Sequence, residues 1–69
     1  MSLSARNRLQ GTVTNVETEG LMAEVTVELG DGQEVTAIIT SGSVDRLGLA
    51  EGDEVSAVVK ATEVMVETE

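Results

Sequence analysis

Residues 22–29, MAEVTVEL, and 33–40, QEVTAIIT, alternate apolar and polar side chains, and GDG stands between them. A period of two is the repeat of a strand with one buried face. GDG is a tight-turn signal. The two runs therefore predict a β-hairpin, and a hairpin needs further strands to bury its apolar face. Ala23, Val25, Val27 and Leu29 lie on one face of the first strand, with Glu24, Thr26 and Glu28 opposite. Val35, Ala37 and Ile39 share one face of the second, with Glu34, Thr36, Ile38 and Thr40 on the other.

Further strands are readable on either side. Residues 9–17, LQGTVTNVE, alternate up to Val13, and Val16 then falls out of phase. A bulge or bend near Asn15 would restore the phase. Gly11 reads as a place where another backbone passes close. Residues 40–49, TSGSVDRLGL, predict one short helix. Ser41 or Ser43 is its expected cap, Val44 and Leu47 share a face, and Gly48 is the left-handed stop. Residues 54–60, EVSAVVK, form a strand with Val55, Ala57 and Val59 inward. ATE makes a brief turn, and residues 64–66, VMV, are expected to close as a last short strand. The expected fold is all-β: a small five-stranded OB-like barrel with one short helix between strands 3 and 4. Residues 1–69 are expected to form a single domain.

A chain of 69 residues has a marginal core of its own. Cysteine, histidine and aromatic residues are all absent. Disulfides and the usual zinc, copper or iron sites are thereby excluded, and association is the remaining support. A homo-oligomer is expected. The net charge of −9 and the lack of rings for stacking bases argue against nucleic acid. No apolar run approaches membrane-spanning length, and the N-terminal residues lack a signal's apolar segment, so a cytoplasmic location is the default. Catalysis finds no nucleophile paired with a base, and the chain does not read as an enzyme. GDGQE is too short to wrap a calcium ion.

Three of the four cations, Arg6, Arg8 and Lys60, lie near hydroxyl-bearing segments at the two ends of the chain. Small oxyanions are held by such convergent donors: guanidinium, ammonium, hydroxyl and backbone N–H. SARN supplies Ser4, Ala5, Arg6 and Asn7; KAT supplies Lys60, Ala61 and Thr62; Thr40 adds a hydroxyl at the mouth of the helix. On chemistry alone the same cations serve equally as solvated surface, with Arg6 paired to a Glu and Lys60 ending a strand.

MSLSARNRLQGTV, AIITSGSVDRLGL and EVSAVVKATEVMV together resemble the molbindins, the small Mop (molybdenum-pterin-binding) proteins built on a TOBE domain. The resemblance runs over residues 1–66. It implies an OB-like barrel assembled as a hexamer, a trimer of dimers. It implies molybdate or tungstate at subunit interfaces, held by Ser4, Ala5, Arg6 and Asn7, by Lys60, Ala61 and Thr62, and by Thr40 from a neighbouring subunit. Arg6 and Lys60 are expected to converge across a seam between protomers. Members of the family often carry Ser where this chain has Ala61, which removes one hydroxyl donor and keeps the backbone N–H. Intracellular molybdenum storage is the implied role; the alternative is an oligomerisation or sensor module of a molybdate transport or regulatory system. With no aromatic residue to stack a pterin, the ligand reads as the bare oxyanion, bound without direct protein–metal ligands.

Overall fold

The computed structural model describes residues 6–69. Its elements are β1 (Asn7–Glu19), β2 (Met22–Leu29), β3 (Glu34–Thr40), α1 (Ser41–Leu47) and β4 (Glu54–Val59). The strands form one antiparallel sheet in the order β3-β2-β1-β4. The hairpin expected from alternation is β2–β3, with Val27 opposite Val35 and Ala23 opposite Ile39. Its turn is tied by Asp31, whose carboxylate accepts from the Gln33 backbone N–H at 3.1 Å and from the Gln33 side-chain amide at 2.6 Å. These bonds, the backbone one first, hold the Asp31 carboxyl below its ordinary value of 3.8.

β1 extends beyond the expected residues 9–17 because it serves two partners. Asn7 to Thr12 pair with β4, and Gly11 to Glu19 pair with β2. Val13 stands opposite Val27 and Asn15 opposite Thr26, leaving Thr14 as the extra residue of a bulge. That extra residue brings Val16 opposite Val25. The phase break seen in the sequence is thus the bulge itself, adjacent to Asn15 as expected. A straight strand as long as β1 would span roughly 40 Å, more than the molecule's longest dimension of 35 Å. β1 therefore curls, and the sheet curls with it.

The core is thin. Val13 (1 % exposed), Ala23, Val25, Val27 and Val44 are buried, with Val16, Leu29, Ile39, Leu49 and Val55 packed against them. Each buried valine contributes about 1.5–3 kcal/mol. α1 supplies Val44 alone to this core. Its cap is Thr40, rather than Ser41 or Ser43: Thr40 is extended (ψ 150) and its hydroxyl accepts from the Ser43 N–H at 3.1 Å. Ser41 instead donates to the Gly20 and Met22 carbonyls, tying the helix start to the β1–β2 turn. Gly48, at φ 65, ends the helix as expected.

The expected fifth strand is not seen among the described residues. After β4 the chain makes a 3₁₀ turn over Ala61–Glu63, and residues 64–66 join no ladder among the described residues. Four strands are present there, matching an OB-like sheet left open between β3 and β4. A strand needs a partner edge, and this turn carries the three residues past β4 without reaching one.

The outer face has an electrostatic cost. Glu17 stands opposite Glu24, and Glu28 opposite Glu34. Like charges directly across a ladder are destabilising. Replacing Glu34 by Lys converts one pair to an attractive one. It should stabilise the chain by up to about 1 kcal/mol, read as a higher urea midpoint at low salt; a lower midpoint contradicts the assignment.

Candidate functional site

The β1–β4 ladder brings the two candidate donor segments together. Asn7 pairs with Val59 and Arg8 with Val58. Arg6 precedes and Lys60 follows that last pair, just outside the ladder. Both segments belong to the same chain, and the β1–β4 ladder brings them to one end of the sheet. Arg6, Asn7, Lys60, Ala61 and Thr62 are all exposed. Ser4 and Ala5 lie outside the described residues.

Strand alternation adds a residue that the sequence reading left out of the site. Arg8 shares its face with Val58, the face opposite that of Asn7 and Val59. Arg6 and Lys60 each lie one residue beyond that last pair. Three of the four cations in a chain of net charge −9 therefore cluster at one end of one ladder. The period-two spacing of Arg6 and Arg8 was the available signal. Ala61 and Thr62 open the 3₁₀ turn. Among the described residues their backbone N–H groups take part in no backbone hydrogen bond, since the turn's bonds run from Glu63 to Lys60 and from Val64 to Ala61. The arrangement offers guanidinium, ammonium, amide, hydroxyl and N–H, all of which donate.

Thr40 lies elsewhere. It pairs with Met22, which pairs in turn with Glu19 at the far end of β1 from Asn7. Its hydroxyl is already engaged, donating to Ser43 Oγ at 2.8 Å while accepting from the Ser43 N–H. Ser43 Oγ also accepts from the Arg46 guanidinium at 3.3 Å. With two donors directed at it, the Ser43 oxygen keeps its own proton available. Ser43 and Arg46 thus supply the free donors beside Thr40, and the sequence reading gave them no role in the site.

A concavity of about 790 Å³ lies elsewhere on the sheet, lined by Gln10, Thr12, Glu28, Leu29, Glu54 and Ser56 among others. Two carboxylates and no cation among its lining residues make it the wrong sign for an anion. The open donor cluster at the Asn7 end is the better chemical match. No group of three or more acidic, His or Cys side chains suited to a metal ion occurs among the described residues.

A curled antiparallel sheet, one capped helix and a donor-rich strand end define the class: a small OB-like β module with a surface suited to oxyanions. Residues 3–66 match the TOBE domain, and the chain belongs to that family, among its molybdenum-pterin-binding (Mop) members. It is 46 % identical over 66 residues to molybdenum-pterin-binding protein 1 of Clostridium pasteurianum, covering 96 % of this chain and 97 % of that protein. Its structure is similar to that of a molybdate-binding protein from Sporomusa ovata, with a TM-score of 0.93, 41 % identity, and coverage of 99 % of this chain and 100 % of that one. It is also similar to ModG, a cytoplasmic molybdate-binding protein solved with molybdate bound (TM-score 0.85, 49 % identity). That match covers 88 % of this chain and 43 % of ModG. No helix among the described residues is long and apolar enough to cross a membrane.

Proposed function

We propose that this chain, acting as one domain over residues 1–69, binds molybdate or tungstate as the intact oxyanion and buffers it inside the cell. The role is binding, without turnover. The ligand is held by Ser4, Ala5, Arg6, Asn7, Lys60, Ala61 and Thr62 of one chain, with Thr40 from a second chain in a homo-oligomer, a hexamer built as a trimer of dimers. The carrying observation is the β1–β4 register, with Asn7 opposite Val59, which unites two donor segments from opposite ends of the sequence. The similarity to the Sporomusa ovata protein and to ModG, both molybdate-binding proteins, supports the same ligand.

The chemistry accounts for selectivity. Molybdate is a fully deprotonated dianion at neutral pH, and each of its oxygens only accepts hydrogen bonds. A donor-only lining suits it. Phosphate retains a proton near neutrality, which would face another donor; leaving such a group unsatisfied costs roughly 1–3 kcal/mol. Sulfate is deprotonated too, so size has to exclude it. The acidic background does not prevent binding, because charges beyond a screening length of about 8 Å are damped at physiological salt while direct donors are not. The absence of Phe, Tyr and Trp leaves no ring to stack a pterin.

Isothermal titration with molybdate, tungstate and sulfate tests this reading. Saturable heat with the first two and none with sulfate is the expected result, and equal binding of sulfate would defeat it. Ligand held only by the folded assembly also raises the melting temperature by mass action.

A further inference from the structure

We propose that Asp31–Gly32, in the β2–β3 turn, is this chain's site of spontaneous backbone isomerisation to isoaspartate, and that Gln33 holds the reaction back by clamping the Asp31 carboxylate. The inference goes beyond oxyanion binding and stands without it. The residue pair is the reactive one. The aspartates of the chain are Asp31, Asp45 and Asp53, and of these only Asp31 precedes glycine. Arg46 and Glu54 follow the other two, and their side chains crowd the nitrogen that would attack. Gly32 has no side chain to do so. Beyond its chain neighbours, no heavy atom of the described residues lies within 4 Å of where its Cβ would stand. Asp31, Gly32 and Gln33 are all exposed, so water reaches the turn.

Water is the only co-reactant. The Gly32 nitrogen gives up its proton and bonds to Asp31 Cγ; a Cγ–O bond breaks, and water leaves a cyclic succinimide. Water then adds to either ring carbonyl. Cleavage of the new N–Cγ bond restores aspartate. Cleavage at the main-chain carbonyl instead runs the backbone through Asp31 Cβ, one methylene longer and unchanged in mass. In the folded turn both reacting groups are already engaged. Asp31 Oδ1 accepts from the Gln33 N–H at 3.1 Å, and Oδ2 accepts from Gln33 Nε2 at 2.6 Å. The Gly32 N–H donates to the Leu29 carbonyl at 3.0 Å. Attack requires the carboxyl to turn away from Gln33 and the nitrogen to leave Leu29. Hydrogen bonds to an ionised group are the stronger kind and resist that turn. The Gln33 bonds, the backbone one first, also favour the ionised carboxyl and keep scarce the acid form that can lose water. The longer backbone does not fit the hairpin. Leu29 N–H donates to the Gln33 carbonyl at 2.7 Å, and Glu28 stands opposite Glu34. A methylene inserted between them displaces that register.

The test incubates the full chain at neutral pH without molybdate and counts isoaspartate with an isoaspartyl methyltransferase and a labelled methyl donor. Electron-transfer fragmentation locates the modified residue. The folded, unaltered chain should gain isoaspartate slowly. Gln33→Ala and Gln33→Glu, each shown to be folded by circular dichroism, should gain it several-fold faster, because both lose the side-chain donor. In urea the unaltered chain and both variants should react at one common, faster rate, since the clamp exists only in the folded turn. Asp31→Glu should remove the signal, because its longer side chain closes a larger ring far more slowly. Folded Gln33 variants that react no faster than the unaltered chain overturn the proposal. So does an unaltered chain that reacts as fast folded as in urea, a comparison that needs no variant to fold. Isoaspartate located at a residue other than Asp31, or persisting in Asp31→Glu, overturns the assignment of the site.

Discussion

Replacing Arg6 and Lys60 together by Ala should abolish molybdate binding and leave the chain folded. Each is a charged donor, and a hydrogen bond to a charged group contributes about 1.5–3 kcal/mol. Losing two weakens binding by roughly 10²- to 10⁴-fold. Both residues are exposed at the end of the β1–β4 ladder, so the cost to stability stays within about 0.5 kcal/mol. Isothermal titration reads the first effect and urea unfolding the second. The molybdate-dependent rise in melting temperature should vanish in the same variant. Binding at the unaltered chain's affinity would remove these residues from the site. Arg8→Ala is the informative companion, because Arg8 lies two residues from Arg6 at the same end of the ladder and a partial loss is expected there.

Gly11→Ala should be the most damaging small change in the sheet. A Cβ at that position would run into the Glu28 carbonyl oxygen and lie 2.7 Å from Val27 Cγ1. The carbonyl belongs to the β1–β2 ladder and cannot swing away as a side-chain tip could. Overpacking of this kind costs about 1–3 kcal/mol. In a domain of this size each kcal/mol lowers the melting temperature by roughly 4–8 °C. Gly42→Ala makes the contrast. Nothing lies within 4 Å of a Cβ there, the residue is inside α1, and alanine in a helix interior gains up to about 1 kcal/mol over glycine. Opposite signs for the two substitutions, measured by thermal unfolding, are expected. A neutral Gly11→Ala would mean that β2 does not pass so close.

Particular residues show where sequence reasoning succeeds and where it stops. The β2–β3 hairpin was readable because alternation is a local property: Ala23, Val25 and Val27 face the core whatever else the chain does. The phase slip between Val13 and Val16 named the bulge for the same reason. Gly11 was readable as a close approach, though not which backbone it meets. The helix cap was misassigned because Thr40, Ser41 and Ser43 all carry a suitable hydroxyl. The choice among them depends on where β3 leaves its ladder, at the Met22–Thr40 pair. Residues 64–66 look like a strand by type, but a strand is completed by its neighbour, and within this chain none reaches them among the described residues.

The site divides along the same line. Which groups can donate to an oxyanion is a matter of side-chain chemistry, so Arg6, Asn7, Lys60 and Thr62 could be named without coordinates, as could the exclusion of disulfides and stacked cofactors by composition. Which of them meet is a matter of strand pairing between segments remote in sequence. No local rule specifies that register; it follows from burying Val13, Val25, Val27 and Val44 in one small core while every ladder bond is satisfied. That packing sets the Asn7 end of β1 against the end of β4 and sends Thr40 to the other end of the sheet. Donor identity was therefore written in the residue types, whereas donor adjacency arose from long-range pairing, whose energy depends on the whole fold and not on any stretch of it.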